Sequence, residues 1–525
     1  MRRKKMSKRS GIHRRIYVAL LCVTEASMTT STFLGNLCWF LLLVNWVAEW
    51  QWSDKIRQLK ENTLLHAFLT LFAVQLLWVM MGGDWLKSLF AVQKALPLLV
   101  LPLVVLTSPP LEQRERHLVI AAFLATIAVV SIIGIVRWIT IDNLPYRAIV
   151  PYVSNIRFAL NIVVAICLIV SLATRHWQNL IVVILSIAAL IGMLLLIRSY
   201  TAFVVLAILS LLYAAHHIAH CKHTTTKTVL TVSYFIAILA AAGYIYHIGN
   251  NYYTPTPLEQ APLQTTTAGG HPYTHACDGM IENGGQVNNY ICQAEIYTTW
   301  PMVSNTPLDT LTPNGYSVYP TLIRYLGSRG LTKDSVGIMA LSPLDIKAVE
   351  DGYANHIFID GTPLQKMVYS LLYEYEKYRV MQDLSNSSMG ERLLLWDNAW
   401  HVFTEHPLLG VGTGNVYDAC HARLDAIQSP LAQSDKNTHN QYLSFLVAFG
   451  LLGFLLIAIA FARSAWHNRH TMTLLQTAFA VIIIISCLDD DTLNVFSGIM
   501  LTTTPIAFLR NNKKQDIPQC TNTIR

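Results

Sequence analysis

Long apolar runs dominate the sequence and constrain its fold more than any other feature. About twelve runs approach the roughly 17 to 25 residues that a helix needs to cross a bilayer. Only 13% of the residues are charged, against about 25% in soluble domains. We therefore predict an all-α polytopic membrane protein with about 12 transmembrane helices and one large, partly helical periplasmic loop. The predicted spans are approximately 16–28, 33–47, 64–81, 89–106, 118–139, 158–171, 180–197, 201–214, 229–248, 442–461, 474–488 and 493–509.

A long polar stretch divides these spans and predicts three regions. Residues 1–248 form an N-terminal transmembrane bundle of about nine helices, 249–438 a periplasmic loop domain, and 439–525 about three C-terminal helices with a cytoplasmic tail. Within the loop, 249–315 is rich in Thr, Pro, Gly and Asn and is predicted to be irregular surface. Helical patterns begin after it.

The net charge of +7 is unevenly distributed and indicates topology. Residues 249–438 hold 10 Lys and Arg against 19 Asp and Glu, a balance of −9, so the remainder holds 28 against 12, a balance of +16. The short loops predicted inside are basic, as the positive-inside rule requires. Both termini are therefore expected in the cytoplasm, and the acidic stretch outside. This distribution gives no basis for nucleic-acid binding.

Two cysteines of the predicted outer loop are candidates for a disulfide. Cys277 and Cys292 have fourteen residues between them, and an oxidising compartment permits such a bridge. Cys420 is the alternative partner.

Two residues at the predicted outer face are candidates for binding or catalysis. Arg198 interrupts an apolar run between two spans. A guanidinium there suits a phosphate ligand, although it also suits the end of a hairpin with its charge in the headgroups. His439 lies where the polar loop re-enters the membrane, and its imidazole suits proton abstraction near neutral pH. The alternative is a structural role at a helix cap.

The segment around residues 390–414 holds a third candidate and a glycine-rich turn. Arg392, Trp396, Ala399 and Phe403 share one face of a predicted helix, which could lie on the membrane surface. The following GVGTG lacks the Lys-Ser/Thr of a P-loop and is predicted to be a turn that lets the chain bend beside the membrane. No metal site is predicted, and the cluster of His216, His217, His220, Cys221 and His223 is interpreted as a cationic patch.

The segment ERLLLWDNAWHVFTEHPLLGVGTGNVYDA, followed by KNTHNQYLSFLVAFGLLGFLL, resembles the O-antigen ligase and O-antigen polymerase superfamily of bacterial inner membranes. The resemblance consists of an Arg, a Trp a few residues on, a Pro-Leu-x-Gly-x-Gly turn, and His-Asn before a glycine-containing helix. IRSYTAF matches the position of the family's arginine between two helices, and IRFALNI and LDDDTLNVFSGI are also similar.

The resemblance implies a reaction and its residues. Arg198 and Arg392 would bind the diphosphate of an undecaprenyl-diphosphate-linked glycan at the outer leaflet. His439 would be the general base on an acceptor hydroxyl, with Asp490 or Asp491 as an orienting acid. The glycan would pass with inversion, and without a cofactor or metal, to lipid A core or another glycan acceptor at the inner membrane of a Gram-negative bacterium.

Three functions remain open at this stage. We favour a ligase that moves a finished glycan to the lipid A core. A polysaccharide polymerase or a protein O-oligosaccharyltransferase of the same superfamily is the alternative. A lipid-linked glycan transporter is the third, although no internal repeat of the kind many transporters carry is visible.

Overall fold

The computed structural model describes residues 2–141, 144, 146–173, 177–276, 279–313, 315–381, 388–429 and 431–510. Nearly all of its regular structure is helical. The first ten helices, α1 to α10, are Arg2–Ser27, Thr32–Glu49, Trp52–Glu61, Thr63–Leu77, Trp85–Thr107, Gln113–Thr140, Asn155–Leu172, Trp177–Leu196, Tyr200–His220 and Thr224–Tyr253.

The second half of the chain alternates short and long elements. Helices α11 to α17 are Pro257–Gln260, Gln293–Val303, Val318–Ser328, Ser335–Met339, Pro343–Glu350, Ile357–Asp360 and Pro363–Met381. Helices α18 to α23 are Ser388–Glu405, Val416–Ala426, Gln441–Asn468, Leu474–Asp489, Phe496–Thr503 and Ile506–Leu509. An antiparallel pair, β1 (Ile281–Glu282) and β2 (Gly285–Gln286), precedes α12.

Within the described ranges, nine helices are long and apolar enough to cross a membrane. Each coincides with one of the predicted spans. The other three predicted spans fall on α1, whose first half is strongly basic, on α21 with its 16 residues, and on α22 and α23, which Thr504 and Pro505 separate. The total of about twelve crossings and the periplasmic location of the loop stay predictions.

The chain divides into two compact units. The first combines Met1–His216 with Arg392–Arg525, and the second is His217–Glu391. The boundaries predicted at 248 and 438 concern membrane topology, which this division does not test.

The second unit has its own small core, which begins earlier than the sequence suggests. Ile296 and Trp300 on α12 are buried together with Leu322 and Tyr325 on α13. The stretch predicted to be irregular thus contains a helix with one buried face, which its high Thr and Pro content conceals. Glu282 and Arg324 form a bidentate ion pair beside it at 2.9 Å.

Helix α20 of the first unit is interrupted at Gly450, where φ is 60° and ψ is −170°. An interruption frees backbone groups, which are costly where water cannot reach them. The segment after α18, which contains the GVGTG turn, bonds to these groups. Its bonds are Val411 N to Val447 O at 2.9 Å, Gly412 N to Ala448 O at 2.9 Å and Leu451 N to Pro407 O at 2.8 Å. The turn therefore lies against helix α20 and bonds to the backbone groups that the interruption frees.

Replacing Gly450 with Ala tests this interruption. Its backbone conformation disfavours any side chain, and the new Cβ would lie 2.3 Å from the Leu408 carbonyl carbon. We expect a loss of at least about 2 kcal/mol in unfolding free energy, measured as a lower thermal midpoint in detergent. The control is Gly192→Ala on α8, which meets nothing within 4 Å. Equal midpoints for the two variants would contradict the account.

Candidate functional site

Three consecutive aspartates lie where α21 ends. Asp489 is the last helical residue, and Asp490 already has an extended backbone, with φ −156° and ψ 160°. Because the chain changes direction between them, the three carboxylates point to three sets of partners. All of these partners belong to the first unit.

Asp490 lies between the candidate base and a buried arginine. Its Oδ1 is 3.4 Å from Nδ1 of His439, and its Oδ2 accepts a hydrogen bond of 2.7 Å from Nη2 of Arg157. The Arg157 side chain is only 7% exposed, whereas that of His439 is 34% exposed. The result is a row of three groups that leads from the protein interior to an accessible imidazole.

Opposing effects set the protonation of Asp490. Burial raises the pKa of its carboxyl group, but the hydrogen bond with His439 and the positive charge of Arg157 lower it by more. The pKa therefore lies below its ordinary value. Asp490 is consequently an anion at neutral pH and able to orient the imidazole.

Asp491 holds the turn that carries His439. Its carboxylate accepts hydrogen bonds from Thr438 Oγ1 at 2.9 Å, from the backbone N–H of His439 at 3.0 Å and from Ser444 Oγ. His439 has φ 49°, a left-handed conformation that is uncommon for a residue other than glycine. Such an outlier persists only where its surroundings impose it, and Asp491 supplies part of that constraint.

The residues on either side of His439 complete the turn. The Asn440 side chain caps α20 by accepting from the backbone N–H groups of Tyr442 and Leu443. The indole of Trp396 donates to the His439 carbonyl at 3.3 Å. The helix cap is thus formed by Asn440, next to His439, and the role of His439 as a base stays a prediction.

Asp489 pairs with the candidate diphosphate-binding residue of α18. Its Oδ1 lies 3.1 Å from Nη1 of Arg392, and its other oxygen accepts a hydrogen bond from Thr201 Oγ1 at the start of α9. Arg392 and Asp489 are each 21% exposed. The guanidinium is therefore partly desolvated but accessible.

Arg198 lies three residues before Thr201, in the turn between α8 and α9. Its φ is 51°, so both candidate residues at such turns, Arg198 and His439, have left-handed backbones. The Arg198 guanidinium lies over the Tyr146 ring at 5.3 Å from its centroid. The structure thus joins Arg392 and His439 through adjacent aspartates, whereas Arg198 lies in the turn that precedes Thr201, a hydrogen-bond partner of Asp489.

The predicted helix face that begins at Arg392 packs inside the protein. Ala399 is fully buried, and it and Phe403 belong to a cluster with Cys420 on α19 and Val447 on α20. This face is therefore covered by α19 and α20, and a position of α18 on the membrane surface stays a prediction. The packing orients α18 so that Arg392 reaches Asp489.

The part of the chain that the structure describes does not test the predicted disulfide. Cys277 lies outside the described residues, so its bond to Cys292 stays a prediction. Cys292 and Cys420 are both buried.

Two residues of the site, Arg157 and Asp489, are not predicted from the sequence. Arg157 is a charge at the edge of an apolar run, which is the same signal that identified Arg198. Asp489 could not be distinguished from Asp490 and Asp491, because three adjacent aspartates have the same sequence context. Only the end of α21 separates their directions.

The arrangement combines a partly exposed imidazole, an anion behind it, and a partly exposed guanidinium. An imidazole oriented in this way can accept a proton from a hydroxyl group. A guanidinium can stabilise an anionic leaving group with two parallel hydrogen bonds. Together these groups suit a transfer reaction with an anionic leaving group.

Comparison with known proteins finds a family model that matches part of the chain. The family model described as O-antigen ligase matches residues 355–458, a range that contains Arg392, the glycine-rich turn and His439. The match confirms the resemblance to the O-antigen ligase superfamily. No curated protein matches the chain.

Asp491→Asn tests the role of the third aspartate. The amide keeps the size of the carboxylate but supplies one oxygen for three donors, so a donor loses its partner. We expect a loss of about 1–3 kcal/mol, measured as a lower thermal midpoint. Asp418→Asn is the control, because Asp418 is 56% exposed in its pair with Lys87 and should change the midpoint little. Similar shifts for both variants would argue against the role.

Proposed function

We propose that this chain, which matches the O-antigen ligase family, moves a glycan from undecaprenyl diphosphate to a hydroxyl of a lipid A core oligosaccharide. The observation that carries the proposal is the pairing of His439 with Asp490 beside the pairing of Arg392 with Asp489. The adjacent carboxylates bring a base and a diphosphate-binding cation to one place.

The donor would bind through its diphosphate. Arg392 provides a planar fork of donors at a partly desolvated position, where such contacts are strong. Arg198, at the neighbouring turn, would contribute a second positive charge. The long apolar helices of the first unit suit the polyprenyl chain, because a groove between such helices accommodates an acyl-like tail.

His439 would act as the general base. Because Nδ1 faces Asp490, Nε2 is the ring atom available to an acceptor hydroxyl. The hydroxyl oxygen would form a bond to the anomeric carbon while its proton passes to Nε2. The bond between that carbon and the diphosphate oxygen would break, so that undecaprenyl diphosphate leaves with the electron pair and the sugar centre inverts.

The site would lie at the periplasmic face of the inner membrane of a Gram-negative bacterium, with both termini in the cytoplasm. The basic N-terminus and short basic loops support this orientation. The donor would then enter from the outer leaflet.

Reconstitution with defined acceptors tests the proposed reaction. The purified protein would be incubated with undecaprenyl-diphosphate-linked glycan and one of three acceptors: lipid A core, a second lipid-linked repeat unit, or a Ser/Thr peptide. We expect transfer to lipid A core. Transfer only to the repeat unit or the peptide would replace the ligase with a polymerase or a protein O-oligosaccharyltransferase, and no transfer to any acceptor would overturn the proposal.

His439→Ala should abolish most of the transfer. A general base typically contributes about 10²- to 10⁴-fold, so we expect kcat to fall in this range with the donor KM little changed. His401→Ala is a matched control, because His401 is an exposed histidine 3.5 Å from Asp397 on α18. Full activity of a membrane-inserted His439→Ala protein would remove His439 from the mechanism.

Arg392→Lys tests the bidentate contact with the diphosphate. Lysine keeps the charge but loses the planar fork, so we expect kcat/KM for the donor to fall about 10-fold or more, as for a loss of roughly 1.4 kcal/mol. Arg57→Lys, at an exposed arginine paired with Asp54, is the control. Unchanged donor kinetics in Arg392→Lys would be inconsistent with diphosphate binding at this position.

A further inference from the structure

Arg157 is a buried cation that the proposed reaction does not use directly. It is the third residue of α7, its side chain is 7% exposed, and its Nη2 donates to Asp490 Oδ2 at 2.7 Å. A Cβ at Gly498 would lie 2.5 Å from Arg157 Nη1, so this guanidinium is tightly enclosed. It is too deeply buried to bind a substrate.

We propose that Arg157 is a positioning residue, which acts through Asp490 to keep His439 oriented and available as a base. The proposal rests on the function proposed above and adds Arg157 to the pair of Asp490 and His439. Arg157 binds Oδ2 of Asp490. The other oxygen, Oδ1, faces the imidazole and also accepts a hydrogen bond of 2.8 Å from the backbone N–H of Asp491. The row Arg157, Asp490 and His439 thus has a cation at its buried end.

The charges around Asp490 show why a cation is needed there. Asp489 and Asp491 flank it, Cys487 precedes them on α21, and Arg392 pairs with Asp489 from α18. Three adjacent carboxylates repel one another, and a buried carboxylate without a partner takes up a proton. Arg157 offsets the charge of Asp490 from the interior side.

Loss of the Arg157 charge should shift the pH dependence of the reaction in one direction. Without Arg157, Asp490 binds a proton at higher pH, because a neighbouring positive charge that opposed its protonation is gone. The form with a neutral imidazole and an ionised Asp490 then exists only at higher pH. The acid limb of the kcat/KM profile should therefore move upward.

The experiment measures transfer from undecaprenyl-diphosphate-linked glycan between pH 5 and 9. We expect Arg157→Gln to move the acid limb up by about 1–3 pH units and to lower the maximal kcat about 10- to 100-fold, less than the loss of the base itself. Arg157→Lys keeps the charge and should keep the position of the limb. Arg14→Gln, which removes the ion pair with Glu115 in the same unit, is the control and should leave the limb unchanged.

A double variant tests whether Arg157 acts through Asp490. Arg157→Gln combined with Asp490→Asn removes both charges of the pair, so it leaves no unpaired buried charge. Because Arg157 acts through Asp490, the double variant should have the activity of Asp490→Asn alone. A further loss in the double variant, or an unshifted acid limb in a folded Arg157→Gln protein, would overturn the inference. An inactive wild-type protein would instead refute the proposed function.

Discussion

Three carboxylates at the end of α21 determine the arrangement of the site. Adjacent acids in a partly buried position repel one another, so each needs its own partner. Asp489 has Arg392 and Thr201, Asp490 has Arg157 and His439, and Asp491 has the turn that precedes α20. Because the partners come from α7, α9, α18 and α20, four helices converge on three residues.

The broken helix α20 explains how two distant parts of the sequence reach this point together. The turn after α18 bonds to the backbone groups freed at Gly450, which anchors the end of α18 beside α20. Arg392 lies near the start of α18, and His439 lies two residues before the start of α20. The interruption therefore anchors one end of the helix that carries the proposed cation to the helix that follows the proposed base. Gly410 in the turn and Gly450 in α20 are required because the turn and the helix are in close contact.

The membrane helices were the most predictable part of the protein. Length and apolar composition suffice for them, because a bilayer permits few alternatives to a helix. Arg392 and His439 were also identified, from the family resemblance and from residue chemistry. Helix α12, which has one buried face, is not predicted, because the composition of its surroundings is typical of loops.

The partner of each aspartate could not be predicted from the sequence. It depends on where α21 ends and on which side chains α7 and α9 bring to it, and both are tertiary properties. Arg157 shows the same limitation. Its position in an apolar run marks it as unusual, but only the 2.7 Å contact with Asp490 connects it to the proposed base.

The most direct test of the central claim is a structure of the protein with undecaprenyl-diphosphate-linked glycan bound. We predict that the diphosphate contacts the Arg392 guanidinium and that Nε2 of His439 faces the anomeric carbon from the side opposite the leaving group. A donor bound with its diphosphate away from Arg392 and its anomeric carbon out of reach of His439 would contradict the account.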